Sequence, residues 1–251
     1  MSQTTHHARS DRTADILGNT PRWNEVPAAE LRSPPHVAIA SIRIHISSAF
    51  SKTSFFAGTG WFIKPGRVVT AAHVLDIRRA WGSVAGATNW HVEVVPAVSA
   101  AVAEPLGATW ATRIDRHPRF VDDVGSPWDL AVITVTPLEG LPASQCLAAQ
   151  IGPEQTGVKV AISGYPWNNG HPQTQFRHAG LVPAREGTNL YYDIDTEGGQ
   201  SGSPVLLQTS AASVAIGIHV GGVGHGRGAV ARSRNHGIAF DDSTLAWVKS
   251  I

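Results

Sequence analysis

The chain has 251 residues, 42% of them hydrophobic and 16% charged, with a formal net charge of +1. This is material for one large core or two small ones; it excludes global disorder, and the near-neutral balance supplies no basic surplus for nucleic acid. The single cysteine, Cys146, excludes an internal disulfide, and no apolar run approaches the roughly 18 residues of a membrane-spanning helix.

Residues 1–34 are polar and broken by Pro21, Pro27, Pro34 and Pro35, which reads as an extended leader, wrapped onto the domain or partly disordered. Residues 1–19 hold no signal-length apolar core, so the chain as written is expected in the cytoplasm, or outside the cell if a leader has been removed. Residues 40–46 alternate polar and apolar, the pattern of a half-buried strand. Residues 57–63 form a second strand in which Gly58 and Gly60 mark a close backbone approach or a bulge. A Lys64-Pro65-Gly66-Arg67 turn leads into a strand over 68–70. Further strands are expected at 91–95, 109–114, 130–135, 158–163, 175–182, 190–194, 204–207, 214–219 and 236–240. Their short, regular spacing argues an all-β barrel or sandwich. The chain then turns helical over 242–249, with Leu245, Trp247 and Val248 as an apolar face for the second half of the molecule.

Chemistry concentrates in Thr196-Glu197-Gly198-Gly199-Gln200-Ser201-Gly202-Ser203-Pro204. Glycines on both sides of a serine permit a sharp turn and leave bare N–H groups beside a hydroxyl, the combination acyl transfer needs. Upstream, Val69-Thr70-Ala71-Ala72-His73 ends an apolar run in a histidine, and Trp128-Asp129-Leu130-Ala131-Val132 opens one with an aspartate. The order His73, Asp129, Ser201 resembles the chymotrypsin class of serine proteases. Within it, Gly199 to Pro204 and Ile216-Gly217-Ile218-His219-Val220-Gly221-Gly222 are similar to motifs of the bacterial glutamyl endopeptidases. The resemblance covers about residues 37–251.

It implies an all-β fold of two six-stranded antiparallel barrels with a short C-terminal helix. The first barrel would occupy 35–145 and carry His73 and Asp129; the second, at 146–251, would carry Ser201 and the helix. It implies a serine endopeptidase: Ser201 as nucleophile, His73 as general base, Asp129 to orient it, and the N–H groups of Gly199 and Ser201 as oxyanion hole. Asp122 and Asp123 are rivals for Asp129, and Ser203 for Ser201. Thr196 and His219 would bind a glutamate side chain, and Val220 and Gly221 the peptide backbone by strand addition. Asp195, six residues before Ser201, opens an alternative, trypsin-like cleavage after Arg or Lys. An inactive protease-fold binding module is the reading outside catalysis. Gln200 stands where trypsin-like zymogens carry an aspartate, so their activation switch cannot operate in that form. Ile16-Leu17-Gly18-Asn19 resembles the start of mature glutamyl endopeptidases, which places an expected cleavage between about Arg12 and Ile16.

No His-x-x-x-His, cysteine cluster or nucleotide-binding glycine loop is present, so neither a metal nor a cofactor is expected. Gly199 to Ser203 lacks the Gly-x-Ser-x-Gly spacing of α/β-hydrolases, and Cys146 lacks a supporting motif. The expected partner is a protein or peptide substrate, with no nucleic acid or membrane, and the expected state is a monomer.

Overall fold

A computed structural model describes residues 17, 22–48, 52–76, 87–100, 104–121, 123–167, 174–209, 212–223, 230 and 233–251. The expected processing region before Leu17 and the rival Asp122 lie outside them.

In chain order the strands are β1 (Asn24–Glu25), β2 (Ile39–Ser48), β3 (Lys52–Lys64), β4 (Arg67–Thr70), β5 (Ala87–Pro96), β6 (Thr109–Arg116) and β7 (Ala131–Val135). They are followed by β8 (Val158–Gly164), β9 (Phe176–Val182), β10 (Ala184–Glu186), β11 (Asn189–Tyr192), β12 (Pro204–Gln208), β13 (Ser213–Gly221), β14 (Asn235–Ala239) and a helix, α1 (Asp242–Ser250).

Six strands close into a barrel in the order β2-β3-β4-β7-β6-β5. The period-two pattern of β2 explains its facing: Ile42, Ile44 and Ile46 are buried, while Arg43 and His45 between them are half-buried. Trp61, Phe62, Val68, Val69, Val94 and Ile133 fill the same core. Opposite Ile42 and Arg43 the β3 partners are Gly58 and Phe56, so Ala57 is bulged out at the glycine-marked position.

The second half is an eight-stranded antiparallel sheet in the order β1-β9-β8-β12-β13-β14-β11-β10. It curls back on itself. Beyond β11, the Asp193 N–H reaches the Leu181 carbonyl of β9 at 3.1 Å, so β8, β9, β11, β12, β13 and β14 surround a core of Val160, Ile162, Tyr192, Ile194, Val205 and Ile216. The two added strands are short. β1 brings residues 24 and 25 onto β9, opposite Arg177 and Phe176, and β10 forms a hairpin with β11.

Helix α1 is capped by Asp241, whose carboxylate accepts the Thr244 N–H at 2.7 Å while Thr244 Oγ1 accepts the Asp241 N–H at 3.0 Å. It docks on the first barrel rather than the second. Trp247 meets His117 edge-on, with ring centroids 4.9 Å apart, and Arg67 Nε donates to the Ile251 carbonyl at 2.8 Å. His117 already stacks on Trp128, so the apolar stripe of α1 finds its aromatic partner in the loop joining β6 to β7.

Candidate active site

Strand order brings His73 and Asp129 together. Thr70, the last residue of β4, pairs with Ala131, the first of β7. The chain leaves β4 into a short 3-10 turn, Ala72–Leu75, and enters β7 two residues after Asp129. Asp129 is fully buried. Its Oδ1 accepts the His73 backbone N–H at 2.9 Å, and its Oδ2 lies 2.6 Å from His73 Nδ1 and accepts the Gly125 N–H at 3.0 Å. A carboxylate accepts only, so the proton of this pair sits on Nδ1 and the Nε2 lone pair is left free. It is thus Asp129 that is bonded to His73, and of its two sequence rivals Asp122 lies outside the described residues.

Ser201 comes from the loop before β12, and β3 ties that loop to the His73 arm. The Thr59 N–H donates to the Ser201 carbonyl at 2.9 Å, Thr59 Oγ1 donates to the Gly199 carbonyl at 2.8 Å, and Thr70 Oγ1 donates to the Thr59 carbonyl at 2.7 Å. Gly202, at φ +88, fits so closely that an added Cβ would stand 2.1 Å from the Thr59 carbonyl oxygen and 3.0 Å from Ala71 N. Gly58 likewise abuts Val74 and the Ser201 carbonyl, the close approach expected of it. Ser203 is different. Its hydroxyl is sealed against Gly164, and the residue is wholly buried, whereas Ser201 keeps 5% of its surface.

The loop also aims its amides. In a trans peptide the C=O and N–H point opposite ways. The Gly198 carbonyl accepts the Trp167 N–H at 2.7 Å and the Gln200 carbonyl the Ser203 N–H at 3.0 Å, which turns the N–H groups of Gly199 and Ser201 outward. Those two have no partner among the described residues, whereas Gln200 N and Gly202 N are bound to Glu197 and His219 carbonyls. Gly199 holds φ +97, a left-handed conformation open to glycine. The Gln200 side chain accepts the Glu197 N–H at 3.0 Å, so the loop braces itself where an aspartate-dependent zymogen would wait for an amine.

His219 lies on β13 beside this loop, its N–H donating to the Ser203 carbonyl and its carbonyl accepting from Gly202. It is fully buried. Burial pushes its imidazole down to about 3, with the nearby His236 and His73 adding to the effect, a backbone group of His236 opposing it. The ring is therefore neutral. The Tyr192 hydroxyl, held well above its usual range by burial, sits 2.5 Å from His219 Nδ1. A proton donated there by the phenol places the imidazole hydrogen on Nε2. Both His219 Nε2 and Thr196 Oγ1 are buried without a hydrogen-bond partner among the described residues. Beyond His219, no strand of the sheet continues alongside Val220 and Gly221 on the β12 side, among the described residues.

Asp195 is buried and engaged. Arg22 reaches it through Nε at 2.9 Å and a terminal nitrogen at 2.8 Å, and the backbone N–H groups of Arg22 and Leu17 each donate at 2.9 Å. Burial opposes its charge, but these bonds outweigh it and hold the carboxyl below the usual carboxylate range.

A second serine–histidine pair exists, Ser163 and His36, 3.3 Å apart. Arg177 donates to His36 Nε2 at 3.2 Å, so Nδ1 carries the proton and gives it to Gln175 Oε1 at 2.7 Å. No basic lone pair faces Ser163, and this pair is a buried structural network.

Thr59, Trp167, Tyr192 and Arg22 escape sequence reasoning. The glycines around Thr59 were the available signal; the others act across long separations and carry none. Burial raises the Cys146 thiol to about 11, an inert group.

Residues 58–218 match the trypsin-like peptidase domain family. The glutamyl endopeptidase of Bacillus licheniformis is 30% identical over 185 residues, 72% of this chain and 54% of the relative. The glutamyl endopeptidase of Staphylococcus aureus strain MRSA252 is 27% identical over 181 residues, 66% of this chain and 45% of the relative. The chain thus spans about half the length of these relatives. A solved Glu endopeptidase in complex with MPD superposes with a TM-score of 0.70 at 21% identity, covering 94% of this chain and 98% of that one. The protease Anisep of Arthrobacter nicotinovorans gives a TM-score of 0.58 at 19% identity, covering 84% and 94%. A closed barrel and a curled sheet meeting at Thr59 and Ser201 make a chymotrypsin-like fold, and the chain belongs to the trypsin-like peptidase family.

Proposed function

We propose that the protein is a serine endopeptidase that cleaves peptide bonds after glutamate. The observation that carries the reading is the short His73 Nδ1–Asp129 bond, which leaves Nε2 basic on the arm that Thr59 and Gly202 hold against the Ser201 loop. In this reading His73 takes the Ser201 proton as the hydroxyl oxygen attacks the scissile carbonyl. The oxyanion forms against the N–H groups of Gly199 and Ser201, which already point outward and need no rearrangement. Asp129 stabilises the resulting imidazolium. That imidazolium then protonates the departing amine, and water hydrolyses the acyl-enzyme by the same base.

Glutamate specificity is supported by donors. A neutral His219 offers Nε2–H, and Thr196 offers a hydroxyl; both are buried and unspent, and an unpaired buried donor is costly until a substrate carboxylate accepts it. The relatives named glutamyl endopeptidases agree with this choice. The open edge at Val220 and Gly221 suits an extended peptide. Cleavage after Lys or Arg through Asp195 is disfavoured, because Arg22 already occupies that carboxylate.

The test is digestion of a mixed peptide library by the protein and its Ser201→Ala variant, read by mass spectrometry. Cuts after Glu that vanish in the variant are the expected result. Cuts that persist in Ser201→Ala remove the nucleophile assignment, and an inert wild type favours a binding module.

A further inference from the structure

We propose that Arg22 is a specificity-determining residue: by neutralising Asp195 behind the pocket donors, it makes the pocket accept an acidic side chain and refuse a basic one. The inference deepens the glutamate reading above and rests on it.

Asp195 immediately precedes Thr196, one of the two unspent donors. Its side chain has no exposed surface, whereas the Arg22 side chain keeps 48%. A buried carboxylate in that place would oppose a glutamate substrate and attract a lysine, the arrangement the sequence spacing alone suggests. Every bond to Asp195 prevents this. The guanidinium takes both oxygens in a two-pronged pair at 2.8 and 2.9 Å, and the backbone N–H groups of Leu17 and Arg22 supply one further donor to each oxygen. The Asp195 N–H donates to His178 Nδ1 at 2.8 Å, so main chain and carboxylate are both fixed.

The residues just after Arg22 hold it in place. Asn24 and Glu25 pair with Arg177 and Phe176, and the Val26 N–H donates to the Gln175 carbonyl at 2.8 Å. The N-terminal segment is thus strapped to β9 and delivers a positive charge to the pocket loop from far upstream. Asp195 holds the charge that would suit a basic substrate, and the chain supplies its own cation to fill that role permanently.

The experiment compares kcat/KM on three peptides that differ only in Glu, Gln or Lys before the scissile bond. In Arg22→Gln, cleavage after Glu is expected to fall about tenfold or more while cleavage after Gln stays within about threefold, because only the charged side chain feels the uncovered carboxylate. Arg22→Gln combined with Asp195→Asn removes the charge as well as its partner and restores the Glu/Gln ratio. A merely structural strap predicts the opposite: equal losses on Glu and Gln, and no rescue. Either equal losses or an unchanged ratio in Arg22→Gln overturns the inference. A wild type that does not distinguish Glu from Gln overturns the glutamate reading and this inference with it, an outcome distinguishable by being visible before any mutation.

Discussion

Thr59→Val separates the positioning of Ser201 from its chemistry. The substitution keeps shape and β-branching but deletes one oxygen that makes two buried bonds: it donates to the Gly199 carbonyl at 2.8 Å and accepts the Tyr165 N–H at 2.9 Å. Thr59 is wholly buried, so neither orphan regains water. An unsatisfied buried polar group costs about 1–3 kcal/mol, and two of them about 3 kcal/mol after partial relaxation. For a protein of this size that is a melting temperature lower by about 6–12 °C. The catalytic effect is separable. The Gly199 carbonyl fixes one face of the loop that aims the Gly199 and Ser201 amides, and its release should lower kcat by about tenfold to a hundredfold with KM nearly unchanged, since a lost oxyanion donor costs about two to three orders. Thr59→Ser keeps both bonds and should retain near-wild-type kcat. Calorimetry with steady-state kinetics on one Glu peptide measures both quantities. A Thr59→Val protein with unaltered kcat would refute the idea that this hydroxyl holds the site in register.

Gly202→Ala should be far more damaging than a surface Gly→Ala: its Cβ meets the Thr59 carbonyl at 2.1 Å with φ at +88, a loss of about 3 kcal/mol or more, read as a lower urea midpoint. Asp129→Asn should leave the fold intact and lower kcat by about three to four orders, because an amide no longer demands the Nδ1–H form of His73; a loss under tenfold would contradict the assigned tautomer. The acid limb of stability should carry the signature of His219. Its folded value near 3 lies below the ordinary 6.5, so below pH 6.5 the unfolded chain takes a proton the folded one refuses, and stability falls progressively toward pH 3. His219→Gln should therefore lose less stability than wild type between pH 7.5 and 4.5 in urea titrations; parallel losses would place the buried proton elsewhere.

The sequence is legible where function or burial leaves a local mark. The apolar run before His73 and the one after Asp129 announce two residues that the fold bonds directly, and the glycines around Ser201 announce a loop that Thr59 ties to the same barrel. The alternation in 40–46 reads directly as β2, and the mostly apolar run at 214–219 falls within β13. β1 and β10 escape, because strands of two and three residues exist only by virtue of their partners and have no period of their own. Asp195 shows the same limit in electrostatic form. Its distance from Ser201 suggests a bare pocket carboxylate, and the cation that answers it stands 173 positions away. Tyr192 and His219 are coupled likewise across 27 positions, through a bond visible only once β11 and β13 flank β14.

The bond network through Thr59 has a further consequence. His73 and Asp129 belong to the barrel and Ser201 to the curled sheet, so under the proposed mechanism turnover would report the registration of the two halves, which share one apolar cluster running from Ile42 and Ile133 to Leu206 and Ile218. Under that mechanism a shift of about 1 Å between them would cost on the order of a hundredfold in rate, a far larger fractional change than it would make in the buried apolar area. Under the proposed mechanism the molecule would act as a strain gauge. Mild denaturant or pressure should silence it while both β-sheets still give their full spectroscopic signal, and inhibitors that never touch Ser201 need only wedge the seam.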